Sequence, residues 1–205
     1  MRVPVLIVVL ASIAACSTPP PRPLPVDVAA AASRHQAELL PLVRWNLRGR
    51  LALRAGDSGG QAGIYWTADG PRYRIQLNGP LGRGLARLSA ADGVVELIDS
   101  DDRRHTAPNA EALLHDTLGW HLPLDGLQYW VRGVEVPAVV AERALDAYGR
   151  LKHLRQLGWL VSFEEYREQQ GLDLPAHLTV TRMERNGAPV QLFARLVIDE
   201  WQVPR

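Results

Sequence analysis

The chain is poor in sulfur, with one cysteine and two methionines among 205 residues. A lone thiol rules out an intramolecular disulfide and every metal site built from several cysteines. Lysine is almost missing as well: Lys152 is the only one, and arginine carries the rest of the positive charge, a compositional habit that marks no phosphate pocket. Neither sign of charge is in excess, since 23 Lys and Arg against 22 Asp and Glu leave a net charge of +1. Without a basic stripe to face a phosphate backbone, nucleic acid is not an expected partner. No apolar run reaches the roughly eighteen residues that a membrane-spanning helix needs.

The parts of a catalytic centre are missing too. Gly56-Asp57-Ser58-Gly59-Gly60 has Gly-x-Ser-x-Gly spacing but falls in a turn between two predicted strands, without the helix that follows a nucleophile elbow, and the glycine-rich stretch at 79–84 lacks the Lys-Ser/Thr ending and the following helix of a phosphate loop. His35, His105, His115, His121, His153 and His177 are scattered without ligand spacing, so no metal is expected. Asp101-Asp102 and Glu164-Glu165 are sequence neighbours, and neighbours on a strand face opposite ways, so neither pair can share a substrate. An envelope hydrolase therefore has no constellation to stand on, and no enzyme is expected.

What remains is an ordinary globular composition, 47% apolar and 22% charged, preceded by a processing signal. Arg2 supplies a short positive start, and 5–15 is an apolar run of export-signal length. It closes on Ile13-Ala14-Ala15-Cys16, which resembles the lipobox of bacterial lipoprotein precursors: a branched apolar residue, two small ones, then the cysteine to be acylated. The resemblance implies removal of 1–15 and, as the only added group, N-acyl and S-diacylglycerol lipid on Cys16. Several acyl chains, each methylene contributing about 0.8 kcal/mol on burial, make a durable anchor where one would not. Ser17, where aspartate would signal inner-membrane retention in that family, favours the outer membrane. Five prolines in 17–25 make 16–28 an extended tether, and 29–205 is expected to fold as one domain.

Within that domain the period of hydrophobicity assigns the elements. Asp27 is placed to cap a helix running to 42. From 47 the period falls to two, predicting strands at 47–54, 62–67 and 73–77, with another pair at 86–90 and 94–98 around an Asp92-Gly93 turn. Asn109 is expected to cap a helix over 110–118, and Asp125 another over 126–132. Strands return at 151–156, 159–166, 177–184 and 190–201, the last two joined by Asn186-Gly187. Strands, two short helices, then strands again predict a mainly β fold: a strongly curved antiparallel sheet with helices across its concave face. Such a sheet encloses either an ordinary core or a greasy cavity. A space of several hundred Å3 would favour lipid as the ligand, and a packed interior would favour protein partners at the surface.

Three ordered stretches carry a resemblance. Asn78-Gly79-Pro80-Leu81-Gly82-Arg83-Gly84 is the first. Leu118-Gly119-Trp120-His121-Leu122-Pro123-Leu124, running on to Leu127-Gln128-Tyr129-Trp130-Val131-Arg132-Gly133, is the second. Gly158-Trp159 followed by Tyr166 is the third. With the opening at 45–54, the closing Ile198-Asp199-Glu200-Trp201 and the lipobox, the set resembles LolB, the outer-membrane lipoprotein receptor family. That resemblance implies a half-barrel with a helical lid over an apolar cavity. The cavity would take the acyl chains of other lipoproteins from the periplasmic carrier LolA and release them into the inner leaflet of the outer membrane. Carrier, acylated cargo and membrane lipid are the implied partners, and a monomer is expected.

The candidate cavity residues are Leu51, Leu53, Ile64, Trp66, Tyr73, Ile75, Leu77, Leu88, Trp120, Leu127, Trp130, Trp159 and Ile198, each of which reads equally well as ordinary core. Leu81, between Pro80 and Gly82 in a turn joining two strands, has no periodic reason to face inward. The family's protruding loop carries a leucine in this place, so these three residues are the candidate membrane-insertion loop. Arg48, Arg50, Arg54, Arg72 and Arg74 on the solvent side of strands are given no role. The competing class is an anchored structural or assembly lipoprotein with a filled core that binds protein partners.

Overall fold

The computed structural model describes residues 22–56, 58–79, 82–120, 122–184 and 189–204. Cys16, Pro80, Leu81, His121 and the Asn186-Gly187 turn lie outside them. Helix α1 (Val28–Leu39) begins where the Asp27 carboxylate accepts the Ala30 N–H at 3.0 Å, the expected cap. It stops short of 42 because Pro41 has no N–H to continue the ladder. Gly149 admits the helix: a Cβ there would stand 2.6 Å from the Ala32 nitrogen.

All the strands among the described residues belong to one open, curved, antiparallel sheet. In chain order they are β1 (Arg44–Ala55), β2 (Ser58–Asp69), β3 (Arg72–Asn78), β4 (Gly84–Ala91), β5 (Val94–Asp99), β6 (Arg104–Ala107), β7 (Glu142–Leu145), β8 (Leu151–Gln156), β9 (Trp159–Gln169), β10 (Leu172–Met183) and β11 (Pro189–Gln202). The sheet order is β6-β5-β4-β3-β2-β1-β11-β10-β9-β8-β7, so the first and last strands meet at the centre and two meanders run outward from them. Helices α2 (Ala110–Leu118) and α3 (Leu124–Trp130) lie in the connection between the two outermost strands.

The strands expected from alternation are present, β8 to the residue. β6 and β7 go beyond that expectation. Each is four residues long and reads Arg-His-Thr-Ala or Glu-Arg-Ala-Leu, without an apolar alternation to announce it. Short charged strands suit the two open edges, where a long apolar strand would invite pairing with another chain.

A bulge at the centre sets which residues face inward. Arg48 pairs with Glu200 but Gly49 with Ile198, leaving Asp199 as the extra residue. The shift turns both Ile198 and Trp201 into the core. It also brings the backbones so close that a Cβ at Gly49 would stand 2.1 Å from the Val197 carbonyl oxygen. Trp45 and Trp66 then meet edge to face at 5.2 Å, and Trp45 and Trp201 at 5.5 Å, closing one end of the concave face with indoles.

The helices differ in how they start. Asn109 accepts the N–H groups of Glu111 and Ala112 at 2.8 and 3.1 Å, so α2 is capped as expected, and Gly119 ends it at φ +71°. Asp125 is not a cap. Helix α3 starts earlier, after Pro123, with no side-chain cap bond, and Asp125 falls in its first turn. Proline opens the helix because its missing N–H is unneeded there, and a carboxylate in the first turn still complements the helix dipole.

Candidate functional site

Topology places α2 and α3 over the hollow of the sheet. β6 and β7 are opposite edges, so residues 108–141 must cross the open side to connect them. Leu113, Leu114, Leu122, Leu124, Leu127 and Val131 are buried as that connection passes over the concave face.

Between helices and sheet lies a slot with wholly apolar walls. Leu51, Ile64, Trp66, Ile75, Leu77 and Leu88 line it from the sheet, and Trp120 and Leu127 from the connection. These are eight of the candidates named from sequence. Ten more residues complete the walls: Ala86, Leu97, Leu178, Val180, Ala194 and Leu196 from strands, with Leu114, Leu122, Leu124 and Val131 from the helical side. The alternation of β10 and β11 was signal enough to find Leu178, Val180, Ala194 and Leu196, which share a face with Ile198.

Five candidates lie elsewhere. Leu53 and Ile198 are buried in the core away from the slot. Tyr73 sits at the base of a separate surface cleft beside Asp125 and Gln128, where burial, and then the charge of Asp125, push its hydroxyl pKa well up. Trp130 turns its indole to Gln156, and Trp159 lies under the Arg182 guanidinium at 5.3 Å.

The slot is nearly shut. It encloses about 50 Å3, far below the several hundred Å3 expected for an open lipid cavity and the ~300 Å3 at which ligand pockets begin. The leucines of α2, α3 and the 119–123 connection occupy the space an open cavity would have. What is left suits hydrocarbon better than water, because a buried water needs two to four polar partners and the walls offer almost none. The indole N–H of Trp66, held edge-on to Trp45 and Tyr73, meets no acceptor among the described residues.

The two ends of the crossing are held differently. At the α3 end, Arg132 is buried and its guanidinium donates to the carbonyls of Leu39, Leu40 and Leu42 at 3.3, 3.3 and 2.7 Å. Desolvation lowers its pKa, but the carbonyls at the end of α1 supply the partial negative charge it faces. Gln156 accepts from the Trp130 indole and the Val136 N–H and donates to the carbonyls of Val136 and Val139. At the α2 end the helix packs against β5 and β6, and its Ala110, Leu113 and Leu114 are buried.

Among the described residues no cluster of His, Cys, Asp or Glu could hold a metal, and no helix is long and apolar enough to cross a membrane. Gly82 lies exposed at φ +74° in the connection between β3 and β4, whose Leu81 and Pro80 fall outside the described residues.

A family model described as outer membrane lipoprotein LolB matches residues 43–201. The chain belongs to the LolB family. It is 38% identical over 168 residues to the outer-membrane lipoprotein LolB of Pseudomonas aeruginosa strain LESB58, an alignment covering 82% of this chain and 78% of the relative. The same identity and coverage hold for outer-membrane lipoprotein LolB of Pseudomonas putida strain KT2440. The fold resembles a putative outer membrane lipoprotein-sorting protein domain from Vibrio parahaemolyticus, with a TM-score of 0.56 at 7% identity, covering 85% of this chain and 91% of that one. As a LolB family member the chain is an outer-membrane lipoprotein with a role in lipoprotein localisation, and it is not an enzyme.

Proposed function

We propose that this LolB family member accepts acylated lipoproteins from LolA, holds their acyl chains between the sheet and the helices, and releases them into the inner leaflet of the outer membrane. The observation that carries the proposal is a slot with wholly apolar walls, closed on its helical side by Leu114, Trp120, Leu122, Leu124, Leu127 and Val131. Apolar surfaces separate without leaving a buried hydrogen bond unmade, so α2 and the 119–123 connection can swing out while Arg132 and Gln156 hold α3 in place. Each methylene that enters contributes about 0.8 kcal/mol, which offsets the packing that the displaced leucines give up. Transfer then runs downhill if each acceptor binds the chains more favourably than the donor before it.

In this reading Cys16 carries the protein's own lipid, and Pro80, Leu81 and Gly82 form the loop that touches the bilayer. The near-closed interior of about 50 Å3 favours a second reading, an anchored structural or assembly lipoprotein that binds partners at its surface. One assay separates them. A triacylated lipoprotein carried by LolA is incubated with the protein, and capture is compared with that of the same cargo lacking acyl chains. Capture of the acylated form alone supports transfer, and equal capture of both supports partner binding.

A further inference from the structure

Three two-residue hairpins in the sheet share one backbone geometry and differ in one residue. Asp92-Gly93, Gln170-Gly171 and Leu157-Gly158 all place both turn residues at positive φ: 53° and 80°, 55° and 85°, 56° and 76°. This double left-handed turn favours Asn or Asp in its first position and disfavours a bulky apolar side chain. The first two turns carry polar residues there. The third puts a leucine there and leaves it 46% exposed, so neither backbone preference nor packing accounts for it.

The three turns are not on the same side of the sheet. Strand direction places Asp92-Gly93 and Gln170-Gly171 on one rim. Leu157-Gly158 lies on the other, with the last residues of β1 and β3. Beside the leucine tip are two cations. Arg182 stacks on Trp159, and its guanidinium would lie 3.6 Å from a Cβ at Gly158. Arg155, exposed on β8, is two residues before the tip. Neither forms a close ion pair among the described residues, although Glu142 on β7 is the cross-strand partner of Arg155.

We infer that the Leu157-Gly158 tip is a membrane contact in its own right: Leu157 enters the interfacial layer of the bilayer while Arg182 and Arg155 meet lipid phosphates. An apolar tip flanked by guanidiniums fits the boundary between acyl chains and anionic headgroups. A single leucine and two arginines are too little surface for a stable protein interface, which takes about 800 Å2 from each partner. Membrane anchoring of the chain keeps the bilayer within constant reach. The inference stands on that anchoring and not on acyl chains entering the slot.

The test uses the acylated full chain in vesicles of phosphatidylethanolamine and phosphatidylglycerol, with a nitroxide at Leu157→Cys or, as a control on the opposite rim, at Val94→Cys. The label at 157 should be shielded from an aqueous nickel relaxant and open to oxygen, the label at 94 should be the reverse, and Arg182→Gln should make position 157 shallower. Equal aqueous exposure at both positions overturns the inference. So does shielding at 157 that appears only when the carrier protein is added, which would make the tip a protein-docking point. Leu157→Asn separates membrane contact from folding: it should raise the urea midpoint, because asparagine suits the turn, while amide exchange at 157–158 loses its slowing by vesicles. A lower midpoint with unchanged slowing means the leucine serves the fold and overturns the inference.

Discussion

Trp130 donates its indole N–H to the Oε1 of Gln156 at 3.1 Å inside the core, tying the last turn of α3 to the end of β8. The same oxygen takes the Val136 N–H at 2.9 Å, and the amide nitrogen donates to Val136 and Val139. One buried amide thus satisfies two donors and two acceptors. Gln156→Leu keeps the volume and strands all four groups, so unfolding in urea should show a loss of about 3 kcal/mol. A loss under about 1 kcal/mol would mean that water replaces the amide, and that α3 is not fixed there.

Arg132 ties α3 to α1 without a carboxylate partner among the described residues, through three carbonyls at the end of α1. Arg132→Met fills the space but leaves those carbonyls unpaired, so stability should drop by about 2 kcal/mol. Hydrogen exchange should quicken in α1 before it does in the central strands. Uniform quickening would place the arginine in the global core instead.

The lid half of the crossing is expected to be the looser one. Asn109→Ala removes the cap of α2 and should cost about 1 kcal/mol of local stability. Exchange mass spectrometry should show it confined to 110–118, with 124–130 unchanged. Coupled loosening of both helices would argue that they move as one body.

Asp99 pins the β5–β6 turn, accepting the N–H groups of Asp101 and Arg103 at 2.9 and 3.0 Å, with His105 Nε2 at 2.9 Å from its other oxygen. The His105 contact foremost, then the backbone donors, lower its pKa from 3.8 to about 2. A carboxylate whose folded pKa is depressed lends stability above its unfolded pKa and loses it as pH falls through the folded one. Its contribution should be complete above about pH 4 and fade toward pH 2. Asp99→Asn should therefore lower the urea midpoint at pH 6 and leave it nearly unchanged at pH 2; an equal loss at both would show that charge is not involved.

Much of this was legible because a half-buried strand writes its burial at every second residue. Tyr73, Ile75 and Leu77 announced β3, and the ends of β8 were marked by Leu151 and Gln156. Asp27 and Asn109 announced helices because short acceptors satisfy the first free N–H groups. Asp125 misled for the same reason: a capping side chain in the first turn of a helix looks like its start when the true start is a proline. β6 and β7 were illegible since edge strands are held by one neighbour and carry no apolar stripe. Facing was the hardest to read. Trp130 and Trp159 are as apolar as Trp120, yet in the fold they meet Gln156 and Arg182 and do not line the slot. Its volume is a sum over many rotamers, which no pattern in the chain encodes.

Occupancy of the slot is the claim on which the proposed transfer depends. A triacylated lipopeptide with a diazirine near the end of one acyl chain, delivered to the protein by LolA and photolysed, reports where that chain resides. Cross-links to wall residues such as Leu88, Trp120, Leu178 and Leu196 are predicted. Cross-links confined to the outer surface, at exposed positions such as Phe193 or Val94, would contradict it.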